Sequence, residues 1–483
     1  MNVHSFALSP FRLAVAALAL VFSWAGDHAF AAVPSASAHP HILFIVVDDL
    51  NTALGCYGNT VVKSPNIDRL AARGTRFDRA YCQYPLCNPS RVSFLSGRRP
   101  ETSGVYVLTT SARTAFPEAV MLPEFFRKHG YFSAGAGKIF HSVKMNDAAS
   151  WDSYEDGPGN DPEEKAAIES RYGGGDGRPR WHVLSTDGDQ TRDGLNVRTI
   201  GRLLAEKAVG STPFFLAAGF HKPHLPWTAP KQFFDLYPSA GITPTPEPEL
   251  RDVPAIALQT ELSGFPQPDN RAEAIRGYYA CISFTDSLVG RLLDQLDRLD
   301  LWKKTIVVLV GDNGFHLGDH GGLWAKLSAF DASTRVPMLI AGAGVPSGRV
   351  VTAPVELLDL YPTLVELSAF PAPVGLEGRS LVPLMQGRVE SRAPAASMVF
   401  HYDVAGKVDV MGRTVISEQW RYTEWAGGQA GREFYWRADD RGEYANRIAD
   451  PALAPFVRSG QEFLRAAVTP KPGPANRPRA LER

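Results

Sequence analysis

The sequence predicts an α/β fold, with a large, mainly parallel sheet between layers of helices and a small antiparallel sheet near the C-terminus. Three observations carry this. Apolar runs at 41–47, 214–220 and 305–311, with a shorter one at 131–136, suit strands buried on both faces. Helical spacing of apolar residues lies around and between them, at 66–73, 122–129, 196–208 and 278–299. After about Leu384 the pattern changes to short strand-like segments at 399–402, 413–417, 420–425 and 433–436.

Each buried run closes on polar residues. The first ends in Asp48-Asp49 and the last in Asp312-Asn313. The run at 214–220 ends on His221, and the short one leads through Gly137 to Lys138 and His141. In open α/β sheets ligands bind beyond the carboxyl ends of the strands, so these distant segments are expected to meet at one site. Residues 144–192, rich in Gly, Asp and Pro, read as a surface insertion or lid, and 244–268 has the same character.

The ends of the chain bear on where it acts. Arg12, the apolar stretch 13–24 and Ala29-Phe30-Ala31 have the form of a signal peptide over 1–31. The stretch is too short to span a bilayer, and no later one is long and apolar enough. The mature protein is expected to be exported, periplasmic or secreted, and from a bacterium, since no glycosylation sequon occurs. A catalytic domain over 38–384, a subdomain over 395–469 and a disordered tail over 470–483 complete the organisation. A net charge of −1 gives no basic field for nucleic acid. Of four cysteines, Cys87 is assigned to chemistry, so at most one disulfide can form.

The chemistry centres on Cys87-Asn-Pro-Ser-Arg91. Pro89 fits the first turn of a helix, and the apolar Val92, Phe94 and Leu95 continue it to Gly97. Cys87 therefore lies at a helix N-terminus, which favours an anion, with Arg91 beside it. Asp48, Asp49, Asp312 and Asn313 are hard oxygen ligands that suit Ca²⁺, or Mg²⁺, rather than zinc.

The Cys87–Arg91 run resembles the signature of the type I sulfatases, in which the cysteine is oxidised to formylglycine. Val47-Asp-Asp-Leu50, Gly55-Cys-Tyr-Gly58, Ser64-Pro-Asn-Ile-Asp68 and Gly318-Asp-His320 also resemble that family. Gly219-Phe-His-Lys-Pro-His-Leu-Pro226 and Trp324-Ala-Lys326 are most similar to its iduronate 2-sulfatase branch, although that branch has histidine where this chain has Asn313. The resemblance implies an alkaline-phosphatase-like sandwich and a Cys87-derived formylglycine, made by a maturation enzyme and hydrated to a gem-diol that attacks the sulfur of a sulfated saccharide. It further implies that Asp48, Asp49, Asp312 and Asn313, with modified Cys87, bind the cation. Arg91, Lys138 and Lys326 would neutralise the sulfuryl oxygens. His221, with Lys326, would protonate the leaving oxygen, and His141 would take the proton that frees sulfate.

Lys222 and His224 are the residues expected to meet a sugar carboxylate, which with the branch points to a 2-O-sulfated uronate cut from a chain end. Two rivals remain at the level of sequence. One is a phosphomonoester or phosphonate hydrolase of the same superfamily, whose alkaline-phosphatase members use Ser or Thr and histidine-ligated zinc. The other is an inactive sulfated-glycan-binding protein.

Overall fold

The computed structural model describes residues 39–173, 181–242, 244, 248–260, 270–402 and 409–468. The expected signal peptide and the tail from 470 lie outside these residues. In chain order the elements that matter here are β1 (His41–Val47), α1 (Pro65–Ala72), β2 (Gly74–Phe77), α2 (Cys87–Ser96), α3 (Leu122–Lys128), β3 (Phe132–Gly137) and β4 (Ser153–Glu155). They continue with α4 (Arg192–Ala208), β5 (Phe214–Phe220), α5 (Arg271–Arg298), β6 (Thr305–Gly311), β7 (Met338–Gly342) and β8 (Arg349–Val351). Last come β9 (Ala395–Tyr402), β10 (Asp409–Ile416), β11 (Trp420–Trp425), β12 (Gly431–Trp436) and α6 (Ala454–Val468).

The large sheet has eight strands in the order β8-β2-β7-β6-β1-β5-β3-β4. β4, β3, β5, β1 and β6 run parallel, while β7 is antiparallel to both of its neighbours. The four runs read as buried strands are thus adjacent, in the order β6-β1-β5-β3, and their carboxyl ends lie side by side. Alternate residues of β1 serve opposite faces. Leu43, Ile45 and Val47 pack in a core shared with Tyr278, Ile282, Val289 and Leu293 of α5. Ile42, Phe44 and Val46 pack with Val92, Phe94 and Leu95 of α2 and Phe125 and Phe126 of α3. Each such side chain stabilises by about 1.5–3 kcal/mol when removed from water, and covering both faces is what lets so apolar a strand be central.

β9 to β12 form a four-stranded antiparallel sheet in sequence order. Its strands begin earlier than the segments at 399, 413 and 433 that the sequence marks, because pairing across β9 and β10 runs from Ala395–Ile416 onward. α6 was not expected. It packs Leu464 against Tyr422, Val415 and Phe434 of the sheet. A buried ion cluster ties this sheet to the rest: Arg421 meets Glu443 at 2.6 Å and Asp331 at 3.0 Å. All four cysteines are free thiols, and no helix among the described residues is long and apolar enough to cross a membrane.

One backbone approach sets the spacing of the strand ends. A Cβ on Gly219 would fall 2.4 Å from both the backbone N and C of Lys138. Only glycine lets β5 and β3 close this tightly. Gly219→Ala should therefore lower stability by roughly 1–3 kcal/mol, as overpacking does, which urea-induced unfolding will measure.

Candidate active site

Beyond the ends of β1 and β6, three carboxylates converge. Asp48, Asp49 and Asp312 are fully buried, with oxygens within 4.8 Å of one another. Asp49 adopts φ of +61°, a left-handed turn that short polar side chains tolerate. Backbone N–H groups of Asp49 and Asn313 both donate to Asp312 Oδ1 at 2.9 Å, locking the two strand ends together.

Isolated, such a cluster would cost several kcal/mol, so it is matched by buried cations. Arg91, fully buried, donates from Nε to Asp312 Oδ2 at 2.8 Å and from Nη2 to Asp48 Oδ1 at 3.0 Å. Its Nη1 donates to the Lys138 and Ile139 carbonyls. Lys138 reaches Asp48 Oδ2, and Lys326 reaches Asp49 Oδ1. Burial would raise Asp48, but Lys138, His224 and Arg91 hold it well below the usual carboxylate range. Burial outweighs Arg91 at Asp312 and, with repulsion from Asp48 and Asp49, pushes that carboxyl up to about 6.

Cys87 is the first residue of α2, whose N-cap Leu86 supplies no capping side chain. Its Sγ lies 3.0 Å from Lys326 Nζ and 3.9 Å from Asp49 Oδ1. Burial and the charge of Asp48 push the thiol well above its ordinary pKa, so an unmodified Cys87 is neutral and a poor nucleophile. Lys326 follows a short hairpin of His316–Leu317 with Trp324–Ala325. Ala325 and Leu327, on either side of it, both have positive φ, +68° and +69°. His401 of β9 holds this turn by bonding the Leu327 carbonyl, and Arg421 donates to the Ala329 carbonyl at 2.6 Å.

The residues suit a hard cation. Asn313 donates from Nδ2 to Asp49 Oδ1 at 2.8 Å and to the Gly314 carbonyl at 3.0 Å, yet its buried Oδ1 accepts no hydrogen bond. A buried unsatisfied amide oxygen costs about 1–3 kcal/mol. Ligation by that oxygen together with the three carboxylates would remove this cost and the carboxylate repulsion.

A cavity of about 530 Å³ opens over this cluster, lined by Asp48, Cys87, Lys138, His141, His221, Lys222, His224 and Lys326. The segment read as a lid also contributes Lys144, Asp156, Glu164 and Arg192, none of which the sequence singled out. Their only local signal was a break in periodicity. Arg91 differs from expectation: it is absent from the lining, and four of its five N–H donors are spent on protein oxygens. It positions the carboxylates from behind. Lys222 lines the cavity with its ammonium donating to the Pro226 carbonyl at 2.6 Å. His224 lies beside the carboxylates, its Nε2 3.8 Å from Asp49 Oδ2. His221 is held by Asp193 of α4, whose carboxylate accepts from Nδ1 at 3.0 Å and from the backbone N–H groups of His221 and Lys222 at 2.9 Å. His316 and His320 both bond Asp319 and form a separate group.

Residues 40–369 match the family described as Sulfatase, and 318–467 match N-sulphoglucosamine sulphohydrolase, C-terminal. A sulfatase of Formosa agariphila is 34% identical, covering 84% of this chain and 82% of its own. The iduronate 2-sulfatase of Mus musculus is 34% identical over 70% of each chain, and that of Homo sapiens 31% identical over 80% of this chain and 85% of its own. Among solved structures, the phosphonate monoester hydrolase of Agrobacterium radiobacter superposes with a TM-score of 0.73 at 20% identity, covering 89% and 95% of the two chains.

The charge arrangement has a consequence for pH. Burial, reinforced by Lys138, lowers the pKa of His141 to about 3. The unfolded chain therefore binds a proton at His141 that the folded one refuses, and this contribution to stability is lost as pH falls from about 6.5 towards 3. In urea titrations across that range, His141→Gln should lose less stability on acidification than the wild type.

Proposed function

The chain belongs to the sulfatase family and is a sulfuric ester hydrolase, and from that premise we propose that it cleaves sulfate monoesters of saccharides at Cys87. The observation that carries this reading is the position of Cys87. It lies at a helix N-terminus, buried, between Lys326 and three carboxylates, at the floor of a cavity large enough for a sugar ring. A thiol kept neutral there is unsuited to attack, which favours its conversion by a maturation enzyme to formylglycine, the hydrate of which supplies the attacking hydroxyl. A Ca²⁺, or Mg²⁺, held by Asp48, Asp49, Asp312 and Asn313 with modified Cys87 would draw charge from a sulfuryl oxygen.

The chain's own groups do the remainder. Lys138 and Lys326 place ammonium charges where negative charge grows on the sulfuryl oxygens, electrostatic stabilisation of the kind that usually dominates. Arg91 keeps Asp48 and Asp312 in register. His221, with Lys326, protonates the departing oxygen, and His141, neutral by virtue of its burial, accepts the proton of the later step.

For the substrate we infer a 2-O-sulfated uronate removed from a chain end, because iduronate 2-sulfatases stand at 31–34% identity over most of the chain. Lys144, Arg192, Lys222 and His224 give the cavity cations for a carboxylate. Residues 38–384 are taken as the catalytic part and 395–469 as the subdomain that supports it. Export by the segment 1–31 would bring the enzyme to polysaccharides.

Mass spectrometry of the peptide spanning 80–91 should show aldehyde in place of thiol at Cys87, and Cys87→Ala should abolish turnover. Metal analysis should return one alkaline-earth ion; stoichiometric zinc would contradict the donor set. A panel of defined sulfated mono- and disaccharides, run beside phosphate and phosphonate monoesters, should release sulfate fastest from the 2-O-sulfated uronate. Substituting Lys222 and His224 together should raise KM about tenfold more for that sugar than for an aryl sulfate, a difference of about 1.4 kcal/mol, as for one charge-assisted hydrogen bond. Equal losses would remove uronate recognition and leave sulfatase activity standing.

A further inference from the structure

The Asp193–His221 pair lies outside the carboxylate cluster and answers a different chemical need. Asp193 is buried at the second position of α4, after the N-cap Thr191. An ionised carboxylate can only accept hydrogen bonds, so the bond of 3.0 Å to His221 fixes a proton on Nδ1. Asp193 stays ionised because burial is outweighed by its bonds to the His221 ring and to the backbone. The two backbone N–H groups it accepts from His221 and Lys222 fix the turn after β5, so neither ring nor turn can rotate. Nε2 is left at the cavity, 3.8 Å from Asp156 Oδ1, which accepts no hydrogen bond and lies 3.5 Å from Arg192.

We propose that Asp193 is a positioning residue that makes His221 a general acid and so sets which sulfate esters the enzyme can cleave. The proposal rests on the assignment of His221 to the leaving oxygen. As the S–O bond breaks, its electron pair passes to the departing oxygen, which takes the proton from Nε2. The imidazolium becomes imidazole and keeps its Nδ1 proton on Asp193. Alcohols that are weak acids, as sugar hydroxyls are, need that proton. Acidic phenols do not. Asp156 faces Nε2 across the cavity.

The test compares kcat/KM for 4-nitrophenyl sulfate and phenyl sulfate, whose phenols differ in acidity, using the full mature enzyme. The ratio of the two constants is independent of how much of a preparation is folded. General acids contribute roughly 10²–10⁴-fold, so Asp193→Asn and His221→Ala should each raise the nitrophenyl-to-phenyl ratio by about tenfold or more. The double variant should move the ratio no further than His221→Ala alone, since the two residues act as one unit. If Asp193→Asn does not accumulate, Asp193→Ser carries the same comparison, keeping an oxygen for the backbone but losing the charge. A wild-type ratio in the Asp193 variants, with both constants falling equally, would overturn the proposal while the altered ratio of His221→Ala upheld that residue as the acid. An unchanged ratio in His221→Ala would take down both.

Discussion

Three ionised carboxylates in one buried space need compensating charge around them, and that requirement organises this protein. Asp48, Asp49 and Asp312 face Arg91, Lys138 and Lys326, a formal balance of three against three. The balance explains why Arg91 has so few donors to offer a ligand. With a divalent cation added, the same site carries a net charge of +2, suited to a monoanionic ester and to the further charge its reaction develops.

The members of that set come from five separate segments, Asp48 and Asp49 sharing the end of β1, and the topology is what gathers them. The strands β6, β1, β5 and β3 deliver the carboxylates, Asn313, His221, Lys138 and His141 from adjacent carboxyl ends. α2 approaches from one face with Cys87 and Arg91, and the hairpin after β6 brings Lys326. The contact of Gly219 with Lys138 shows how little slack the arrangement allows.

Much of this was legible in the sequence for a simple reason. A strand buried on both faces must be continuously apolar, so its end is marked by the first polar residue, and Asp48, Asp312, His221 and Lys138 stand close behind such runs. Cys87 was legible because Pro89 and Gly97 bracket its helix; Gly97 does end it, with φ of +66°. What the sequence does not carry is how a donor is used. Arg91 reads as a charge beside Cys87, and only the fold shows it bound to Asp48, Asp312 and two carbonyls. Asp156, Arg192 and Asp193 were illegible for another reason. The segment of Asp156 has no periodicity of its own and is set in place by β4 joining β3 and by Trp181–Leu184 pairing with Trp227–Pro230, while Arg192 and Asp193 precede the apolar spacing that marks α4 from 196. α6 was missed because the reading followed the alternation of the strands and had no tertiary partner to assign to Leu464 and its neighbours.

The bonds from His401 and Arg421 to the carbonyls of Leu327 and Ala329 have a temporal meaning as well. Lys326 is translated 75 and 95 residues before the two side chains that hold its loop. The residues that fix this lysine's loop are thus the last of the site's supports to be made. The antiparallel sheet is therefore part of the site's scaffold, because the loop that carries Lys326 is held by side chains that arrive only with it.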